Sequence, residues 1–293
     1  MPTSPQIAQI YLYPIKGLDG WQISKALITD GGSLQNDRRW AFFRTDQPDA
    51  PPNKQVVNGK NEPRWLTIRS QYAQAGSAEN LTDKQALQVE FKLDQQTYSV
   101  LLPDEAPRIN QILSQYLGYP VQLKENQTTG FPDDQLATGP TLIGSATLAA
   151  LSNYLKQASQ SAESTQPDNT PRELFSSHDL FRRLRSNILL ATDEALWEDC
   201  LFRHPEQAQA FRLGAIEMCG INPCKRCGVP ARDPITGDIS SIFVRTVMAW
   251  RQQFSPDQST FQAWDNPYRL AVNTRIASHQ AGKTLSVEDV LTQ

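Results

Sequence analysis

Short runs of β-branched and aromatic residues, each closed within a few positions by Pro, Gly or Asp, recur along most of this chain. Such runs predict brief strands joined by tight turns, with few helices between them. Ile7 to Tyr13 is rich in strand formers and stops at Pro14, and Lys16-Gly17 follow in the turn. Trp21 to Thr29 reads as a second strand closed by Asp30-Gly31-Gly32, and Arg39 to Arg44 as a third. Gln47 to Pro63, dense in Pro, Asn, Asp and Lys, reads as a surface loop. Leu87 to Lys92 and Thr97 to Leu102 predict a hairpin around Asp94-Gln95-Gln96. Pro107 to Leu117 then sets Ile109, Ile112, Leu113 and Tyr116 at helical spacing before a stop at Gly118.

A second unit begins after Glu125, and no internal repeat stands out. Ser145 can cap a helix carrying Leu148, Leu151 and Leu155, and Gln157 to Arg172, polar and Ser-rich, reads as an exposed loop insertion. Asn187 to Thr192 and Phe211 to Met218 read as strands, Val244 to Phe254 as a helix, and Leu270 to Ile276 and Thr284 to Val290 as closing strands. A chain of 293 residues carries an expectation of about two domains. We place them at 1–124 and 125–293, in an α+β, β-rich fold containing barrels.

Composition narrows the function classes. A net charge of −3 argues against a broad nucleic-acid footprint, so no nucleic-acid partner is expected. No apolar stretch is long enough to span a bilayer, and the first residues lack a basic region followed by an apolar run, so neither a membrane partner nor a signal peptide is expected. Four cysteines are too few for a secreted disulfide scaffold, which makes the cytoplasm the expected compartment and its thiols reduced.

Three of those cysteines fall within nine residues, Cys219-x4-Cys224-x2-Cys227. The spacing matches the first three ligands of a plant-type [2Fe–2S] site, but no cysteine follows Cys227 to supply the fourth, and Cys200 lies upstream. A structural zinc would borrow its fourth ligand from Cys200, His178, His204 or His279, none of which sits at finger spacing. A Cys224–Cys227 redox pair lacks a βαβ setting, and simple packing sits poorly with the intervening Lys225-Arg226. The remaining reading is a single thiolate, kept ionised by its basic neighbours, acting as a soft metal ligand beside the turn Asp233-Pro234-Ile235-Thr236-Gly237. These residues do not name the metal.

The run from Cys224 to Gly237 resembles the signature of the MOSC domain found at the C-terminus of molybdenum-cofactor sulfurases, in which an Arg-Cys pair precedes an Asp-Pro-x-Thr-Gly turn, as Arg226-Cys227 do here. Tyr13-Pro14-Ile15-Lys16-Gly17 is similar to the opening of that family's N-terminal barrel. Gly31 to Trp40 resembles its Asp-Arg-x-Trp segment, and Arg183 to Ile188 its Arg-Phe-Arg-Pro-Asn-Ile, with Ser186 where proline is usual. Pro230-Ala231 stand where Thr-Thr is frequent. The layout looks closest to the amidoxime-reducing component proteins and their bacterial counterparts.

The resemblance implies an N-terminal MOSC β-barrel-like unit followed by a MOSC β-barrel with flanking helices. It also implies a molybdenum cofactor, Mo-molybdopterin, with Cys227 as metal ligand and catalytic centre. Lys16, Gly17, Arg38, Arg185, Asn187 and Arg226 would join Cys227 around the cofactor, at the interface of the two units. Guanidinium forks suit phosphate and pterin edges. The implied reaction is oxo transfer that reduces a small N-hydroxylated substrate, the metal performing the redox chemistry. With no cysteine after Cys227 and no Gly-x-Gly-x-x-Gly fingerprint, electrons are expected from a separate ferredoxin- or flavin-type donor. A non-catalytic cofactor carrier or sulfur-delivery protein would use the same motif.

Overall fold

The computed structural model describes residues 4–73, 86–162, 175–203, 207–255 and 266–293. Its strands are β1 (Gln6–Leu12), β2 (Trp21–Ile23), β3 (Lys25–Leu27), β4 (Trp40–Arg44), β5 (Arg69–Ala73), β6 (Leu87–Leu93), β7 (Gln96–Leu102) and β8 (Val121–Glu125). They continue as β9 (Leu142–Gly144), β10 (Ile188–Ala191), β11 (Gln209–Leu213), β12 (Ile216–Lys225), β13 (Arg269–Ile276), β14 (Thr284–Ser286) and β15 (Leu291–Thr292). The α-helices are α1 (Pro52–Gln55), α2 (Ala106–Leu117), α3 (Ser145–Ala162), α4 (Ser177–Leu184) and α5 (Phe243–Phe254).

An eight-stranded sheet in the order β15-β11-β12-β13-β9-β10-β1-β2 organises the molecule. It draws strands from both sides of residue 124, because β1 runs antiparallel to β10, pairing Ile10 with Ile188. The strands β9 and β10 pair in parallel, a pairing that needs a crossover, and α3 and α4 lie within that connection. Smaller sheets pair β3 with β14, β4 with β8, and β5-β6-β7 in succession.

The α+β, strand-rich architecture is the one expected, but no closed barrel forms among the described residues. The edge strands are too short to meet: β15 has two residues and β2 three. Instead Ile7 N donates to Asp289 O (2.9 Å) and Leu291 N to Pro5 O (2.7 Å), tying the β15 end back to β1 through one isolated bridge.

Local physics accounts for the helices. The buried face of α2 is Ile109, Leu113 and Leu117, each burial contributing about 2 kcal/mol. Gly118 ends that helix at φ 81°, in the left-handed region glycine enters without a Cβ penalty. The Ser176 Oγ caps α4 by accepting from Asp179 N at 3.1 Å. Several expectations shift in the folded chain. Trp21 to Thr29 is two strands broken at Ser24, which join different sheets, and Phe211 to Met218 is a hairpin turning at Gly214, φ 57°. The Thr284 to Val290 run keeps only its first three residues as β14. Residues 157–162 of the expected loop insertion continue α3, while 163–172 lie outside the described residues. Among the described residues no helix is long and apolar enough to cross a membrane.

Behind β9, Glu198 is buried at 1% exposure. Its Oε2 accepts from Thr147 Oγ1 at 2.7 Å, and its Oε1 has no hydrogen-bond partner among the described residues. Burial, reinforced by the neighbouring Asp199, pushes its pKa from 4.5 to about 7. The folded chain therefore holds a proton that the unfolded chain has released. This stabilising effect is fully present below about pH 4.5 and is lost as pH rises to about 7, for a total of about 3 kcal/mol. Denaturant unfolding across this range should show that decline superimposed on other titrations, and Glu198→Gln should remove it.

Candidate functional site

The turn that leaves β1 sets the first basic group. Lys16 N donates to Trp40 O at 2.8 Å, which fixes the backbone beside β4. The next residue must be glycine. Gly17 sits at φ 85°, and a Cβ there would lie 2.5 Å from Trp65 Nε1. This tight turn sends the Lys16 side chain towards residues 131–133. Its ammonium donates to Phe131 O (2.8 Å) and Pro132 O (3.3 Å) and pairs with Asp133 Oδ1 at 2.6 Å.

Arg38, in left-handed backbone at φ 49°, reaches across to the C-terminal half. Its guanidinium pairs with Asp37 and donates to Asn187 Oδ1 (3.2 Å) and Arg185 O (3.2 Å). The aspartate also accepts from Tyr13 N at 2.9 Å, locking it beneath the arginine. Arg185, ending α4 at φ 52°, places its guanidinium carbon 4.4 Å from the Tyr13 ring centroid, and that of Arg38 lies 5.5 Å from the same ring. The aromatic ring thus serves two cations. Burial drives the Tyr13 hydroxyl up to about 12, so it stays a neutral donor, to Ser186 O.

These charges leave a deficit of anion. Burial, then the like charge of Arg38, pulls Arg185 below its usual value, and its Nη2 is buried with no hydrogen-bond partner among the described residues. Burial also works against the Arg38 charge, but Asp37, followed by Asp133, holds that guanidinium above its ordinary value. At Asp133 desolvation opposes ionisation, a modest effect for a side chain 88% exposed. Lys16, then Arg38 and Arg185, outweighs it and holds the carboxyl below the usual carboxylate range.

The cysteine segment lies at the end of β12, where its register with β13 shifts between Pro223 and Lys225. All four cysteines are free, and Cys227 is exposed. Cys224 feels Arg226, Asp133 and Arg38, but burial dominates and pushes its thiol up, which favours the protonated form over the thiolate that binds metal. Burial likewise raises Cys200, which accepts from Gln293 Nε2 at 2.9 Å. Among the described residues no three His, Cys, Asp or Glu side chains gather as metal ligands, so neither the zinc nor the iron–sulfur reading finds a ligand set there. His178 and His279 are exposed, and His204 lies outside the described residues.

The sequence-derived residues divide into two groups. Lys16, Arg38 and Arg185 converge on Asp133 and Tyr13, with Gly17 shaping the turn. Asn187 and Arg226 are turned into the protein. Asn187 is 0% exposed, its Nδ2 donating to Tyr11 O (3.0 Å) and its Oδ1 accepting from Arg38 and Thr141 N. Arg226 donates from Nε and Nη2 to Leu270 O and from Nη1 to Leu184 O, all within 2.9 Å. Both therefore act as ties that position the others.

Tyr13 and Arg183 fell within the quoted motifs without being given a site role, and Asp133 and Tyr268 were not singled out from the sequence. Arg183, its side chain 2% exposed, joins α4 to the segment after Cys227. Its Nε pairs with Asp179 at 2.7 Å, its Nη1 donates to Pro230 O (3.3 Å) and to Arg232 O, and its Nη2 faces Asp233 at 3.6 Å. Asp233 Oδ1 in turn accepts from Ile235 N and Thr236 N, forming the turn that the Asp-Pro-x-Thr-Gly motif predicts. Tyr268 is buried, and its hydroxyl has no hydrogen-bond partner among the described residues. Burial raises its pKa, outweighing the opposite pull of Arg226. The arginine doublet within Phe181-Arg182-Arg183-Leu184-Arg185 was the available signal for Arg183, whereas Asp133 in Phe131-Pro132-Asp133-Asp134 offered only a turn signal.

Residues 4–119 match the family model described as MOSC N-terminal beta barrel domain. The chain is also 23% identical over 256 residues to the human molybdenum cofactor sulfurase, covering 79% of this chain and 27% of that protein. It therefore spans about a quarter of the length of the curated relative it matches.

Replacing Arg183 by Leu leaves Asp179 without its partner and removes the tie to the Cys227 segment. We expect a loss of about 3 kcal/mol in denaturant unfolding. Trypsin should also cleave more rapidly after Arg232, as measured by peptide mass.

Proposed function

We propose that the chain holds a molybdenum cofactor at the seam between its N-terminal and C-terminal halves and reduces N-hydroxylated substrates there. The observation that carries this reading is the buried Nη2 of Arg185, without a hydrogen-bond partner among the described residues, beside Lys16 and Arg38 in a cluster whose Arg38 and Asp133 charges reach Cys224 of the cysteine segment. A donor set of one ammonium and two guanidiniums suits a phosphate-bearing polar ligand. The one cysteine of the segment whose thiol is exposed suits a soft metal. The residues fit the group.

In this reading Cys227 ligates the metal, Lys16 and Arg38 hold the phosphate, and Arg185 donates its unused N–H. When bound, the cofactor supplies two-electron oxo transfer, removing oxygen from the substrate as water. The chain's own residues supply orientation. Tyr13 keeps Arg38 and Arg185 on separate contacts with its ring, Asn187 aims Arg38, and Gly17 directs Lys16. Asp133 offers the displaceable carboxylate, because an incoming phosphate would compete with it for Lys16. Electrons would come from a ferredoxin- or flavin-type donor. A cytoplasmic setting agrees with four reduced thiols.

The likeness to a molybdenum cofactor sulfurase favours a second reading, a carrier that delivers cofactor or sulfur to another enzyme. Turnover separates the two. The reductase should convert benzamidoxime to benzamidine with a suitable donor, whereas the carrier should instead restore activity to a cofactor-free or desulfo molybdoenzyme.

Protein from a cofactor-competent host should contain near-stoichiometric molybdenum with an oxidisable pterin, measured by metal mass spectrometry and fluorescence. Cys227→Ser should reduce the metal to background, and Cys219→Ser should leave it unchanged. Cys224→Ser should alter it little, since the buried thiol favours its proton. Equal loss in all three variants would overturn the assignment.

A further inference from the structure

A groove of about 400 Å³ lies between the short helical turn Pro63–Thr67 of the N-terminal half and the turn that follows Arg232 in the C-terminal half. None of Lys16, Arg38, Arg185 and Cys227 lines it. Pro63, Arg64 and Thr67 form one wall, and Arg232, Asp238 and Ile239 the other. The walls come together at Gly237, where a Cβ would lie 3.4 Å from Pro63 O. A groove of this volume is of the size that takes a small molecule.

The charges on its walls are not equally engaged. Arg64 Nε and Nη2 hold the two Glu62 oxygens at 3.0 Å each, and Nη1 and Nη2 donate to Tyr116 O and Leu117 O, so this guanidinium is spent on the fold. Arg232, half-buried, donates from Nη1 to Gly237 O at 2.9 Å and makes no ion pair among the described residues. Asp238 is exposed and its Oδ2 accepts from Thr236 Oγ1 at 2.7 Å, again with no cationic partner among the described residues. Two opposite charges therefore share one groove without neutralising each other. The turn keeps them apart: Asp233 Oδ1 accepts from Ile235 N and Thr236 N, and Asp233 N donates to Asp238 O at 2.7 Å. Ile239, 63% exposed, and Pro63 add apolar surface to the same groove.

We infer that this groove binds a small zwitterion with an apolar body, of the chemical class of a free α-amino acid. Its carboxylate pairs with Arg232, its ammonium with Asp238, and its side chain lies against Ile239 and Pro63. A ligand of one sign would gain one partner and meet a like charge on the same wall. The site does not depend on the cofactor reading, since no residue assigned to the cofactor takes part in it.

The test is titration calorimetry at low ionic strength on the full chain, with three probes sharing an apolar branch. These are leucine, 4-methylpentanoate, which lacks the amine, and 3-methylbutylamine, which lacks the carboxylate. Leucine is expected to bind saturably, and each single-charge probe roughly fivefold more weakly, the weight of one partly exposed charge pair. In Arg232→Gln leucine and the amine should bind alike, and in Asp238→Asn leucine and the acid should bind alike. Arg44→Gln, which alters a surface pair with Asp46, should leave all three probes unchanged. If Arg232→Gln unfolds for want of its bond to Gly237 O, the probe series on the unaltered chain and Asp238→Asn still decide the matter. Absent leucine binding, equal affinity for the three probes, or an equal loss in Arg44→Gln would overturn the site. Molybdenum content has no bearing on any of these outcomes, so failure here and failure of the cofactor reading are distinguishable.

Discussion

Tyr11 N donates to Asn187 O at 2.7 Å, and Asn187 Nδ2 returns the bond to Tyr11 O at 3.0 Å. This exchange sits at the end of the β1–β10 ladder, where residues some 176 positions apart become neighbours. Both ends of the basic cluster hang from it. Lys16 and Arg38 follow β1, Arg185 precedes β10, and Tyr13 lies between them. Because the Asn187 amide also fixes Arg38 and Thr141 N, one buried side chain carries the register of the sheet and the aim of an arginine at once. A fully buried polar group with its bonds made specifies geometry more sharply than an apolar residue of equal volume.

A second layer of arginines converts that register into a site. Arg183 and Arg226 direct their donors at backbone carbonyls on facing segments, so cationic side chains here serve as struts. Arg185 differs in having its buried Nη2 left over. Like charge accumulates where the chain most needs an anion, and the left-handed backbone at Arg38 and Arg185 marks the same place. Non-glycine residues held at positive φ cost free energy and persist where the surroundings fix them.

Much of this was legible in the residues. The hairpin at Asp94, the helix ending at Gly118, and the strands β1, β4 and β13 follow from strand-forming residues, helical spacing and turn chemistry alone. What escaped did so for physical reasons. The helix α4 buries an arginine on its inner face, so its pattern looks polar where it is packed. The run from Phe211 to Met218 is continuously strand-like, and a lone glycine hides the hairpin inside it. The motifs around Lys16, Arg38 and Arg185 indicated residues that do come together, but spacing cannot tell a guanidinium facing a pocket from one facing a carbonyl. Arg226 and Asn187 needed coordinates to be sorted. Asp133 and Tyr13 owe their place to contacts across the fold, which local sequence does not encode.

The interleaving of the two halves bears on where the chain can be cut. The segment 4–119, recognisable on its own as a domain, ends two residues before β8 and lacks β10 and β14. A fragment of that extent would bare the edges of β1, β3 and β4 together, along with Ile7, Ile10 and Leu12, each at most 1% exposed in the whole chain. Open strand edges beside uncovered apolar side chains invite pairing with whatever strand is nearest, including another copy. The unit that is recognised as a module is therefore smaller than the unit that covers its own strand edges, and material prepared to the domain boundary would be prone to aggregate for want of three partner strands.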